Sequence, residues 1–290
     1  MQTSISSEPA IVAVPAKAAR LGAAGYVGVA ILVFWLLIAI AGRLVAPYDP
    51  TEFVSDEGFL APSLQFLLGT DYLGRDLFSR LLVGTQLTLV MALIATMIAS
   101  SVGTFLGVFA AVAGGWVDMA LSRVNDAFLS FPTTILGLVI IAALGSHIPV
   151  LVITTGLIYS TSVFRVSRAL AMDQAQLDYV VVAKARGEGR WWIIAHEVLP
   201  NIFAPLLVDF GMRLTFAILF LSALSFLGLG VQPPLADWGT LVRENMTGLT
   251  SGVFTPIFPA MAIASFAIGL NLIVDDLATR SGQHIVGKLI

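Results

Sequence analysis

The sequence predicts an all-α polytopic membrane protein with six transmembrane helices and a polar hairpin set between two of them. Three observations lead there. Hydrophobic residues make up 58% of the 290-residue chain and charged residues only 11%, against about 25% charged in a soluble domain. Mean hydropathy is +0.93. Six segments are apolar over lengths near the roughly 20 residues that cross a bilayer, namely residues 25–45, 85–112, 127–144, 150–164, 205–227 and 256–274.

The first segment follows Lys17 and Arg20 and is too long for the apolar core of a signal peptide, so it is expected to remain as a span. The second carries Ala99, Gly103, Gly107 and Ala111 at a spacing that puts them on one helix face. Small residues so placed let helix backbones approach in lipid, within the bundle or against a second subunit. A short turn holding His147 joins the third and fourth segments, and the fourth is the shortest. The fifth contains Asp209 and Arg213, one helical turn apart and able to pair. Arginine at membrane depth costs about 2.5–3.5 kcal/mol on insertion scales, so such residues face a cavity or a partner. Asp209 and Arg213 are expected to form an internal ion pair, with a role in a pathway or gate as the functional alternative.

Basic residues fix the expected orientation. With the N-terminus in the cytoplasm, Lys17, Arg20, Arg123, Arg165, Arg168, Lys184, Arg186, Arg190, Arg280 and Lys288 fall inside, whereas only Arg43, Arg75, Arg80 and Arg243 fall outside. That satisfies the positive-inside rule and places both termini and the 165–201 loop in the cytoplasm. The expected division is a cytoplasmic segment at 1–24, a first helix and external loop at 25–84, a five-helix core at 85–280, and a cytoplasmic tail at 281–290.

Several classes of chemistry are excluded. The chain has no cysteine, which removes thiol nucleophiles and thiolate metal sites. His147, His196 and His284 stand apart from one another and from carboxylate clusters, so no metal site is expected. No phosphate-binding GxxxxGK[ST] loop occurs, and Gly187-Glu188-Gly189 lacks the rest of a dinucleotide fingerprint. Net charge is −3 without a basic cluster, so nucleic acid is not an expected partner. The expectation is a non-enzymatic chain that binds no cofactor. Among membrane proteins without chemistry of their own, an ion-driven secondary transporter is the alternative, but its usual midplane carboxylates are nearly absent.

The polar segment is the most specific feature. Leu177, Val180, Val181 and Lys184 recur at helical spacing, so residues 178–186 can form a short amphipathic helix. Gly187 and Gly189 then break it. Trp191, Trp192, Ile193 and Ile194 give a second short helix an apolar face, and Leu199-Pro200 is expected to end it. The residues alone allow two readings: a hairpin that docks in a groove on another protein, or a loop anchored by interfacial tryptophans.

This segment resembles the EAA loop of ABC-importer permeases. Val181, Val182 and Ala183 stand at the Glu-Ala-Ala positions, and Gly187, Glu197, Leu199 and Pro200 follow in register. Valine replaces the family glutamate and one alanine, and Glu197 replaces an isoleucine. Three further stretches resemble the dipeptide, oligopeptide and nickel importer permeases: Gly69-Thr70-Asp71-Tyr72-Leu73-Gly74-Arg75-Asp76 with Ser79-Arg80-Leu81, Gly114-Gly115-Trp116-Val117-Asp118, and Ser225 to Pro234 with Trp238-Gly239. The resemblance favours the C-type subunit of a heterodimer. It implies a bacterial inner-membrane protein with four kinds of partner: a homologous permease, two ATPase subunits that carry ATP and Mg, an extracytoplasmic solute-binding protein and the lipid bilayer. It also implies that Val181, Val182, Ala183, Gly187, Glu197, Leu199 and Pro200 form the ATPase-coupling element.

Overall fold

In a computed structural model, the backbone of residues 21–286 and the side chains of residues 21–279 are described. Lys17, Arg20, Arg280, His284 and Lys288 lie outside the described side chains. The helices are α1 (Ala23–Val45), α2 (Leu77–Ala113), α3 (Gly115–Leu129), α4 (Thr133–Leu144), α5 (Ile148–Ala175), α6 (Asp178–Ala185), α7 (Arg190–Trp192), α8 (Leu199–Phe226), α9 (Trp238–Asn245) and α10 (Ile257–Val286). A π-helical turn, Ile193–Val198, joins α7 to α8. Among the described residues the one strand-like feature is a bridge between Thr70 and Asp76.

α2 and α5 form the centre of the bundle. Gly103 lies against Ser160 and Val163, and Gly107 against Phe164 and Ser167. Residue numbers rise together along the contact, so the two helices run parallel. A Cβ on Gly103 would stand 2.6 Å from the Ser160 carbonyl oxygen, and one on Gly107 2.6 Å from that of Phe164. Glycine is therefore required for this approach. The Ser167 hydroxyl, 2.8 Å from the Val163 carbonyl oxygen, also reaches across to that of Gly103 at 3.1 Å. The small-residue face of α2 is thus covered by α5 of the same chain. α1 and α10 pack antiparallel at a second close approach, Gly28 against Gly269, and the Trp35 indole donates to Ser265 Oγ at 3.0 Å.

A parallel α2–α5 pair forces the chain between them to return across the bundle. It does so as a bent element: α3 and α4 meet at 84°. The span expected at 127–144 is therefore broken, its first residues belonging to α3 and most of the rest to α4. Pro132 follows the break at Ser130 and Phe131 and disfavours helical angles in the residue before it. α4 has 12 residues, about 18 Å at 1.5 Å per residue, less than the roughly 30 Å hydrocarbon core. Five helical stretches cross by length and composition, and the bent pair makes up to six.

Three boundaries also move. α2 begins at Leu77, ahead of the expected residue 85, because Asp76 caps it by accepting from the Ser79 backbone N–H at 2.8 Å. α5 continues to Ala175, so Arg165 and Arg168 are helical; Arg168 forks onto Asp118 of α3 at 2.5 and 2.6 Å. Leu199-Pro200 does not end a helix. The chain stays helical from Arg190 to Phe226, because the π turn pairs the Leu199 N–H with the Ile194 carbonyl five residues back. That wider register takes in Pro200, which has no N–H to place.

The segment between α8 and α10 is folded into the bundle. Trp238 is fully buried, its indole donating to Thr85 Oγ1 at 3.2 Å and its backbone N–H to Thr88 Oγ1 at 3.1 Å. Its ring meets Trp35 edge-on at 4.9 Å. α9 therefore plugs one end of the bundle, whereas α6 closes the other against the ends of α2, α5 and α8.

Candidate functional site

The hairpin is built on a buried seam. Val180 of α6 packs with Ile193, Val198, Val108 of α2 and Ala171 of α5, and Ala183 on the same face is fully buried. Since residues three apart share a helix face, burying Val180 and Ala183 turns Val181 and Val182 outward, 52% and 55% exposed. α6 then ends as a Schellman motif: Glu188 N–H donates to the Ala183 carbonyl at 3.2 Å and Gly187 N–H to that of Lys184 at 3.0 Å. Gly187 has φ +86°, and a Cβ built on it would meet no atom within 4 Å. The position is demanding in backbone angle and open in space.

Beyond the turn, Trp191 stacks on Phe109 at 5.3 Å and Phe105 at 6.0 Å, which clamps the hairpin to α2. Trp192 stacks on His196 at 4.9 Å and lies beneath the Arg186 guanidinium at 5.8 Å. Glu197 is half-buried, its backbone carbonyl accepting from Asn201 Nδ2 at 2.6 Å. Burial, and then the Glu197 charge, push the Tyr179 hydroxyl above its usual pKa. Leu199 and Pro200 are exposed. Of the residues named from sequence, Val181, Val182, Leu199 and Pro200 present surface, Ala183 is internal, and Gly187 sets the turn.

Asp209 and Arg213 do pair. Arg213 Nη2 donates to Asp209 Oδ1 at 3.0 Å and Nε to the same oxygen at 3.2 Å. Asp209 is buried, and Arg213 lies over the Phe216 ring at 5.8 Å. A cavity of about 380 Å³ runs from the hairpin to Asp209: Ser101, Thr104, Trp191, Leu199, Phe203 and Asp209 all line it. Two groups that sequence placed in separate roles therefore share one wall.

At the opposite end, the Gly69–Asp76 segment is a buried charge knot. Asp71 accepts from Arg75 Nε at 2.7 Å and Arg80 Nη1 at 2.5 Å, and Arg80 Nη1 also donates to Glu244 at 2.8 Å. Asp71 further accepts the backbone N–H groups of Leu73 and Arg75 at 2.8 and 2.9 Å. The motif at residues 69–81 holds Asp71, Arg75 and Arg80, whereas Glu244 carries no local signal because its partners lie far away in the chain. Among the described residues no cluster of three metal-ligating side chains occurs.

A helical bundle with a parallel central pair, five or up to six stretches able to cross a membrane and a hairpin closing one end defines a polytopic membrane protein. The chain belongs to the family described as binding-protein-dependent transport system inner membrane components, which it matches over residues 103–286. It is 34% identical over 251 residues to the dipeptide transport system permease protein of Alkalihalophilus pseudofirmus, covering 87% of this chain and 83% of that protein. Glutathione transport system permease proteins are similar too. That of Pectobacterium atrosepticum is 33% identical over 83% of this chain and 81% of its own length. For Shigella flexneri the figures are 33%, 88% and 85%. The chain is accordingly an inner-membrane, multi-pass permease subunit of an ABC importer, and ATP hydrolysis belongs to partner subunits.

Proposed function

We propose that this chain carries peptides or similarly sized peptide-like solutes, forming the pathway together with a homologous permease. Two cytoplasmic ATPases drive it, and an extracytoplasmic binding protein delivers the solute. Both termini and the α6 hairpin lie in the cytoplasm, and the α9 end faces outward. The relatives' substrates, dipeptide and glutathione, support the solute class.

One observation carries the mechanism. Leu199 of the hairpin and Asp209 of α8 line a single cavity, and the helix between them is continuous. Displacement of the hairpin by an ATPase is transmitted along α8 to the Asp209–Arg213 pair without an intervening loop. Val181, Val182, Leu199 and Pro200 make the ATPase contact, Gly187 sets the hairpin angle, Ala183 seats the hairpin on the bundle, and Glu197 borders Tyr179. Asp209 and Arg213 gate the cavity as a neutral unit.

The test is uptake of labelled dipeptides and of glutathione into vesicles holding the reconstituted assembly. Uptake that needs enclosed ATP and survives collapse of ion gradients is expected. Uptake driven by an ion gradient without ATP would contradict the reading.

A further inference from the structure

The elbow between α3 and α4 leaves a groove of about 420 Å³, bounded by α2, α3, α4 and α5 and walled by Leu106, Phe128, Leu136, Leu157 and Phe164. Its polar groups are unevenly matched. At the end of α3, the Phe128 carbonyl accepts from the Phe131 N–H at 3.3 Å and that of Ala127 from the Ser130 hydroxyl at 2.7 Å. At the start of α4 the N-cap is Pro132, which supplies no capping side chain, so the first-turn N–H groups have no acceptor within the helix. Asn125 also lines the groove; it is only 7% exposed, and its amide nitrogen has no hydrogen-bond partner. The groove thus combines apolar walls with donors at one end.

We infer that this groove binds a phospholipid, with an acyl chain along α4 and α5 and the glycerol-phosphate oxygens at Asn125 and the α4 N-terminus. Donors unmatched in hydrocarbon are costly, which calls for an acceptor-rich occupant. A helix of a second protein subunit fits poorly, because its backbone carbonyls are already consumed by its own hydrogen bonds. Phosphate and ester oxygens have no such commitment, and a helix N-terminus favours an anion. Arg165 follows Phe164 of the groove wall, one turn beyond Thr161, is exposed, and makes no ion pair among the described residues. The lipid seals the break that a 12-residue α4 leaves in the third crossing.

The experiment uses the full chain in its membrane assembly, with phosphatidylglycerol carrying a photoactivatable acyl chain. Diacylglycerol with the same chain serves as the phosphate-free comparison. Cross-links are mapped by mass spectrometry. The expected result is strong phospholipid labelling of residues 121–140 and 153–164. Labelling there should fall several-fold in Leu157→Trp, which fills the groove from an exposed position, and in Asn125→Leu, which removes the donor. Labelling at the exposed α1 face, Leu37 and Ile40, should not change in either variant. Equal labelling by diacylglycerol, or groove labelling that both variants leave intact, would overturn the proposal. So would disulfide capture of Leu157→Cys by a cysteine placed on the partner permease, since protein would then occupy the groove.

Discussion

The two ends of the bundle hold their charges in opposite ways. At the α9 end, Asp71, Arg75, Arg80 and Glu244 are buried together, and Asp237 is fully enclosed while accepting from Thr240 and Ser225. At the hairpin end, Lys184, Arg186 and Arg190 are exposed beside outward-facing Val181 and Val182. Buried, paired charges fix geometry, because removing one strands the others. Exposed cations beside exposed apolar side chains are stabilised by little within this chain and suit a surface that another protein covers. One end is built to hold its shape, the other to be held.

The largest expected effect breaks the first half of that contrast. Asp71→Ala leaves Arg75 and Arg80 sharing Glu244 alone, and loss of a buried pair costs about 3–5 kcal/mol. Thermal unfolding in detergent should show a strongly destabilised chain, and a wild-type melting point would show that the knot is dispensable.

An intermediate effect concerns the pair that lies between the two ends. Asp209→Ala and Arg213→Ala should each lower folded yield more than the double variant does, because each single change leaves one charge uncompensated at membrane depth. The expected coupling is about 0.5–3 kcal/mol. Strictly additive losses would show two independent residues.

The smallest effect is a pH slope at the α9 end. Burial pushes the Asp237 carboxyl above its ordinary value of 3.8, against the opposing hydrogen bonds from Thr240 and Ser225. The folded chain then binds a proton more tightly than the unfolded chain. Asp237 therefore favours the fold most below pH 3.8 and less as pH rises through the shifted value. Asp237→Asn should flatten that part of the stability profile; an unchanged slope would assign it to other groups.

How far the sequence is legible follows the same contrast. Lipid demands long apolar runs, so the crossings could be read directly, and the one-turn spacing of Asp209 and Arg213 was enough to pair them. Gly187 was legible as a turn because only glycine takes its φ of +86° without strain. The α3–α4 elbow was hidden because an apolar run records depth and not direction, and Pro132 sits inside it. Pro200 misled in the other sense: proline usually stops a helix, but a π turn lets the chain pass through. Trp238 and Glu244 give no local sign of their burial. Their burial comes from Trp35, Thr85 and Arg80, none of them near in sequence.

The most direct test of the central claim, that the hairpin couples this permease to its ATPases, is capture of the ATPase subunits by wild type and Gly187→Leu, with uptake measured on the same preparations. A Cβ at φ +86° meets no atom of this chain within 4 Å, so the main internal penalty is backbone strain of about 1–2 kcal/mol. A companion variant, Val182→Asp, alters the exposed surface without strain at the turn. Both variants should insert and fold, and both should lose most ATPase capture and ATP-driven uptake. If both bind the ATPases and transport like wild type, the hairpin is not the coupling element.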